Sequence, residues 1–126
     1  MRILVIGGTQ FVGRALVGEA VRREHNVTIF HRGEAEPDDF PEVEHVHGER
    51  HRDLELLSGG SWEAAIDTHA YFRGEVRAVA AALGGIIDHY TLVSTNAVHP
   101  DDVSVSPNEE SPTREPLFSG RGGTLA

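Results

Sequence analysis

The chain has 126 residues, 39% of them apolar and 25% charged, enough for one domain with a real core. Its net charge is −9 and all 11 basic residues are arginine, which argues against the broad positive footprint that nucleic-acid binding requires. Cysteine is absent, so disulfides, thiolate metal sites and thiol nucleophiles are excluded, and no apolar stretch approaches the roughly 20 residues that cross a bilayer; a cytoplasmic protein without membrane contact is expected.

The elements follow from period and punctuation. Ile3-Leu4-Val5-Ile6 reads as a buried first strand and breaks into Gly7-Gly8-Thr9-Gln10-Phe11-Val12-Gly13-Arg14. A helix follows from Phe11 to Glu24, with Val12, Ala15, Leu16 and Ala20 near one face. Val27 to Phe30 is the second strand, residues 33–41 an acidic, proline-containing loop, and Val43 to His47 alternates as a third strand. Leu54 to Leu57 forms a short helix that ends at Ser58-Gly59-Gly60, and Glu63 to Asp67 is the fourth strand. Val76, Val79, Ala80 and Leu83 repeat with helical spacing before Gly84-Gly85, and His89 to Ser94 is the fifth strand. Such alternation implies right-handed crossovers, a doubly wound α/β fold of the Rossmann type and strand order 3-2-1-4-5, with a ligand at the carboxyl ends. Residues 1–99 then form a dinucleotide-binding domain. Residues 100–126, which hold four of the six prolines, form a tail read either as a solvated terminus or as the remnant of a substrate loop.

The turn after the first strand carries the strongest chemical signal. Glycines there permit a tight reversal and let backbone N–H groups approach a pyrophosphate, while the next helix turns its positive end to the anion. Gly7 and Gly13 have the spacing of the outer pair of a G-x-x-G-x-x-G turn, and Gln10 stands at the middle glycine position, so its side chain must point away from the phosphates or the cofactor must shift. At the end of the second strand, NAD-binding turns carry an acidic residue for the ribose hydroxyls, whereas this chain offers His31-Arg32. Arg32 can pair a 2′-phosphate bidentately, which favours NADP over NAD; the competing reading is a solvated arginine beside Glu34 and Glu36.

On these residues the chain resembles the short-chain dehydrogenase/reductase superfamily, in its extended or atypical NAD-dependent epimerase/dehydratase branch, from Met1 to about Pro116. GGTQFVGR is similar to the GGT-x-F-x-G-R turn of atypical members, several of which also lack the middle glycine. The resemblance implies further cofactor contacts. Glu49, with Arg50 beside it and Asp53 after it, stands in the segment that meets the adenine; Thr68, His69 and Ala70 lie by the ribose; and Ser94 ends the fifth strand. Ser94-Thr95-Asn96-Ala97-Val98-His99 is similar to S-S-x-x-V-Y, which places the catalytic hydroxyl at Thr95 and His99 where a tyrosine is usual. Read without the family, Ser94 and Thr95 are ordinary caps of loop amides.

Residues 109–116 are similar to the family's acidic, proline-bearing loop before Y-x-x-x-K, yet no such motif follows, and the chain contains no lysine. The expectation is therefore the amino-terminal, cofactor-binding half of an NAD(P)-dependent oxidoreductase or sugar-nucleotide epimerase/dehydratase, not catalytic alone. Its partner in the parent protein would be a small-molecule substrate such as a nucleotide-sugar. A sheet left partly uncovered would also favour a homo-oligomer. The alternative is a non-catalytic nucleotide-binding sensor or regulatory module. His45, His47 and His51 group as metal ligands do, but with no recognisable fourth ligand no metal is expected. The carboxylates Asp101, Asp102, Glu109 and Glu110 read as a solvated charge run.

Overall fold

Successive residues of the first strand, β1 (Arg2–Ile6), enter two different cores. Leu4 and Ile6 join Phe30, Leu54, Leu57, Trp62, Ala65, Val79 and Leu83. Ile3 and Val5 join Val17, Ala20, Val27, Ile29 and Val43 on the other side. Period-two alternation with both faces apolar is the signature of a central parallel strand covered on both sides.

The computed structural model describes residues 1–34, 40–95, 99–100 and 108–114. β1 is followed by α1 (Phe11–Arg22), β2 (Asn26–His31), β3 (Glu44–His47), a 3₁₀ turn (Leu54–Leu57), β4 (Trp62–Asp67), α2 (Arg73–Leu83) and β5 (Ile87–Leu92). The strands are all parallel in the order β3-β2-β1-β4-β5, as the sequence implied. α1 contributes to the core of Ile3 and Val5, whereas α2 and the 3₁₀ turn contribute to the core of Leu4 and Ile6. No helix among the described residues is long and apolar enough to cross a membrane.

The structure corrects several local readings. The face of α1 that meets the sheet is Gly13, Val17 and Ala20, with Leu16 partly packed, while Val12 and Ala15 are exposed. The cause is Gly13: a Cβ there would lie 2.6 Å from the Cα of Gly8, so the helix turns its barest point to the turn that follows β1. Hydrophobic periodicity cannot register a contact made by backbone. α1 also stops at Arg22 instead of Glu24, because Glu24 adopts a left-handed φ of +59. The N–H groups of Glu24 and His25 donate to the carbonyls of Val21 (2.8 Å) and Ala20 (3.0 Å), the paired bonds of a Schellman stop. In α2 Val79 and Leu83 are buried, but Ala80 is exposed and Glu75 takes a buried place. β3 starts at Glu44 and β4 at Trp62, whose N–H donates to Ile86 at 2.9 Å; this brings β5 into register from Ile87 and ends it at Leu92, before Ser94.

The chain divides into two units between Val93 and Ser94. In the second unit, His99 Nδ1 lies 2.9 Å from the carbonyl of Pro112, and Arg114 Nε donates to the carbonyl of His99 at 2.9 Å.

Within the first unit, the core encloses a polar chain that it must satisfy. The indole N–H of Trp62, the sole tryptophan, donates to Thr28 Oγ1 at 3.3 Å, and that hydroxyl donates to Glu44 at 2.9 Å. Thr28→Val keeps the shape but strands the indole N–H, which should lower unfolding stability by about 1–3 kcal/mol. Urea denaturation followed by Trp62 fluorescence measures it.

Candidate functional site

The carboxyl ends of β1, β2 and β4 surround a cleft of about 390 Å³. The turn of residues 7–13 forms its wall, and Phe30, His31, Arg32 and Glu34 line it from the end of β2. Residues 48–51 close it after β3, and Thr68, His69, Tyr71 and Glu75 close it after β4.

The turn is pinned to the strands on both sides of β1. Gly7 N–H donates to the carbonyl of Phe30 at 3.0 Å, which fixes the turn to the end of β2. Thr68 Oγ1 accepts the N–H of Gly8 at 3.3 Å and donates to the carbonyl of Ile6 at 3.1 Å, fixing it to β4. Gly8 has φ +75 and is buried, and a Cβ on it would stand 2.9 Å from Val5 Cγ1, so only glycine suits the position. Gln10 is exposed, with extended backbone (φ −135), and gives α1 no side-chain cap. Such a φ is open to any residue, which explains how glutamine replaces the middle glycine. The first-turn N–H groups of α1 therefore receive no cap from the Gln10 side chain. Phe11 has left-handed φ +49, unusual for an aromatic residue, and its side chain is 93% exposed at the cleft.

The opposite side of the cleft is held by a buried charge network. Arg50 Nη1 and Nη2 donate to Asp67 Oδ1 and Oδ2 at 3.1 and 2.9 Å, a bidentate pair with both groups buried. Arg50 Nη1 also donates to the carbonyl of His69 at 2.8 Å. Glu75 lies 3.8 Å from Arg50 Nε and 3.3 Å from His51 Nε2, while its other oxygen accepts the N–H groups of Tyr71 (2.6 Å) and Phe72 (2.9 Å). The Tyr90 hydroxyl donates to Asp67 at 2.8 Å. Burial draws the Arg50 guanidinium down, but the Asp67 carboxylate outweighs it and the net shift is upward. Burial, followed by the hydrogen bond to Asp67, pushes the Tyr90 phenol above its ordinary range.

Most residues singled out from the sequence converge here. Gly7, Gly8, Thr9, Gln10, Phe11, Val12, Gly13, His31, Arg32, Glu49, Arg50, Thr68 and His69 all line the cleft; Ala70 is not among its lining residues. Arg32 is exposed and pairs with Glu34 at 3.1 Å. Glu49 lies 3.7 Å from Arg52 and 3.8 Å from His51, and its N–H donates to Asp53 at 2.8 Å, so Asp53 caps the local turn. Ser94 and Thr95 are exposed and belong to the second unit. Residues 35–39, 96–98, 101–107 and 115–126, with Glu36, Asp101 and Asp102 among them, lie outside the described residues. The network of Asp67, Glu75 and Tyr90 escaped sequence reasoning. Its one signal was Asp67 at the end of an apolar strand, since a buried carboxylate demands a cation.

Removing one partner of a buried pair costs about 3–5 kcal/mol, because the other charge is left uncompensated. Asp67→Asn should therefore destabilise the fold on that scale in urea denaturation, whereas the double change Arg50→Met, Asp67→Leu should recover a large part of the loss. Tyr90 gives a pH signature. Its folded pKa is raised above the unfolded value of about 10, so its contribution is complete below that pH and is lost as pH rises past it. The melting temperature should fall above pH about 10, and less steeply in Tyr90→Phe.

No protein-family model and no curated protein matches the sequence. Solved structures do share its fold. A UDP-galactose 4-epimerase is 19% identical with a TM-score of 0.75, over 90% of this chain and 45% of that one. The Bordetella bronchiseptica enzyme WbmG in complex with NAD is 16% identical with a TM-score of 0.76, over 90% and 44%. A dTDP-glucose 4,6-dehydratase from Bacillus anthracis in complex with NAD is 19% identical with a TM-score of 0.72, over 90% and 44%. The chain thus spans less than half the length of these structures, and it carries the same Rossmann-type fold as these epimerase, dehydratase and NAD-bound proteins.

Proposed function

We propose that the chain binds a nicotinamide dinucleotide, NADP in preference to NAD, and serves as the cofactor-binding half of an oxidoreductase or sugar-nucleotide epimerase/dehydratase. The observation that carries this reading is the glycine turn, where Gly8 and Gly13 touch backbone to backbone and the uncapped start of α1 opens into the cleft. A side chain on Gly13 would fill the space that lets helix and turn meet. The residues present fit the group: the turn and α1 would hold the pyrophosphate, Arg32 a 2′-phosphate, and the cleft beside Glu49 the adenine. The bound nicotinamide would supply hydride transfer.

The net charge of −9 opposes an anionic ligand, but only at range. Exposed charges are screened beyond about 8 Å at physiological ionic strength, so the local donors decide. NAD in two of the related structures supports a nicotinamide dinucleotide, and Arg32 supports the narrower choice of NADP. A nucleotide-sugar is the substrate class that the epimerase and dehydratase likeness favours, with Thr95 as the hydroxyl that meets the substrate oxygen. The chain has no lysine and so supplies no Y-x-x-x-K pair of its own. The second reading, a nucleotide-binding sensor or regulatory module, rests on the same turn and cleft and asks only that the dinucleotide be bound.

Calorimetric titration with both cofactors tests the proposal. A well-formed charged hydrogen bond is worth about 1.5–3 kcal/mol, or roughly ten- to a hundredfold in affinity. The exposed pair with Glu34 draws Arg32 toward the lower end of that range. NADP should bind about tenfold more tightly than NAD, and Arg32→Asp should abolish the preference while leaving NAD affinity nearly intact. Gly13→Ala should weaken both cofactors together. Equal wild-type affinities would reduce Arg32 to a solvated loop residue.

A further inference from the structure

Three imidazoles meet at the sheet edge beside the cleft, and the dinucleotide reading uses only one of them. His31 ends β2 and pairs in register with His47 of β3, while His45 lies two residues earlier on the same face. Along that face β2 reads Val27, Ile29, His31, so the imidazoles begin where the apolar core ends. His31 is 7% exposed, His45 is half-buried and His47 is exposed.

The rings do not stack. His31 meets His45 at 78° with centroids 5.1 Å apart, and His47 at 81° with centroids 4.8 Å apart. The near-perpendicular planes exclude face-to-face stacking, and the ring nitrogens converge. One nitrogen from each of the three lies within 4.8 Å of the other two, and His31 Nε2 is 2.9 Å from His45 Nδ1. Metal–nitrogen bonds of about 2.0–2.1 Å in a tetrahedral site place ligand nitrogens roughly 3.3 Å apart. The first pair already stands near that separation, and a side-chain rotation of exposed His47 closes the rest.

We propose that His31, His45 and His47 form a binding site for one divalent transition-metal ion of the zinc class. Imidazole selects zinc, nickel, copper or iron over magnesium and calcium, which prefer oxygen. Three protein ligands leave a fourth position for water or an anion, as open zinc sites do. The membership differs from the sequence grouping for a structural reason: His51 turns to Glu75 and Glu49, while β2 brings in His31 from fourteen residues before His45. The site does not depend on the dinucleotide reading.

Coordination has a consequence for the ring proton. Gly33 N–H donates to His31 Nδ1 at 3.1 Å, so a neutral His31 carries its proton on Nε2 and donates it to His45. A metal on Nε2 moves that proton to Nδ1, which can then no longer accept from Gly33.

The test uses the full chain, free of any affinity tag and stripped with chelator, titrated with zinc chloride in a calorimeter. One ion per chain should bind. His47→Ala, and the double variant His45→Ala, His47→Ala, should lose more affinity than the about 10–100-fold typical of losing a mere partner of a ligand. His89→Ala, on exposed β5, should bind as wild type, and circular dichroism checks that each variant is folded. Nitrogen-15 spectra should show the His31 proton moving from Nε2 to Nδ1 and the Gly33 amide shifting with one equivalent of zinc. Zinc binding to wild type no tighter than to the double variant, or a His31 that keeps its Nε2 proton when zinc is bound, would overturn the proposal.

Discussion

The ion pair of Arg50 and Asp67 is the constraint on which the carboxyl edge of this sheet depends. Asp67 is fully buried at the end of β4, where a carboxylate without a cationic partner would be costly, and Arg50 reaches it from the segment after β3. One guanidinium thereby ties two loops that are seventeen residues apart, and its contact with the carbonyl of His69 sets the path of the chain leaving β4. Glu75 extends the same network to the start of α2 by accepting the amides of Tyr71 and Phe72. The cost of burying these charges is offset only because nearly every oxygen has a donor. No buried side-chain nitrogen or oxygen among the described residues lacks a partner.

That network shapes the site from one side, and the glycine turn shapes it from the other. Thr68, next to Asp67, joins them: its hydroxyl receives Gly8 and reaches Ile6. The turn is therefore not a loose loop between β1 and α1. It is pinned to β2 through Gly7 and to β4 through Thr68, and α1 lies on it at Gly13. With the Gly7 and Gly8 amides bonded to Phe30 and Thr68, the donors that the turn offers an anion are those at the uncapped start of α1, and a turn already held rigid loses little entropy on binding, which is the physical basis for reading it as a phosphate cradle. Arg50, by contrast, contributes to the site chiefly by holding it in shape, since its guanidinium is committed to Asp67 and His69.

What could be read from the sequence was whatever is written in local pattern. β1 and β2 announce themselves as apolar runs because both faces of a central parallel strand are covered, and strand order followed from alternation alone. The face of α1 was misjudged because Gly13 packs through its backbone and carries no hydrophobic signal. The end of α1 was missed because a glutamate, not a glycine, takes the left-handed stop at residue 24. The charge network and the His31–His47 pairing were illegible for a different reason: both join residues far apart in the chain, and only the register of β2 against β3 and the fold of the loop after β3 bring them together.

The turn of residues 7–13 is the proposed seat of the dinucleotide pyrophosphate. Amide chemical-shift mapping during titration with NADP or NAD tests it most directly, because it reports where the ligand sits independently of how tightly it binds. The largest shifts should fall on Gly7, Gly8, Phe11, Val12 and Gly13, with smaller ones at Arg32 and Glu49, and AMP, which lacks the pyrophosphate, should move the turn much less. Saturable binding with the turn amides unmoved, or no binding of either dinucleotide by the folded chain, would contradict it.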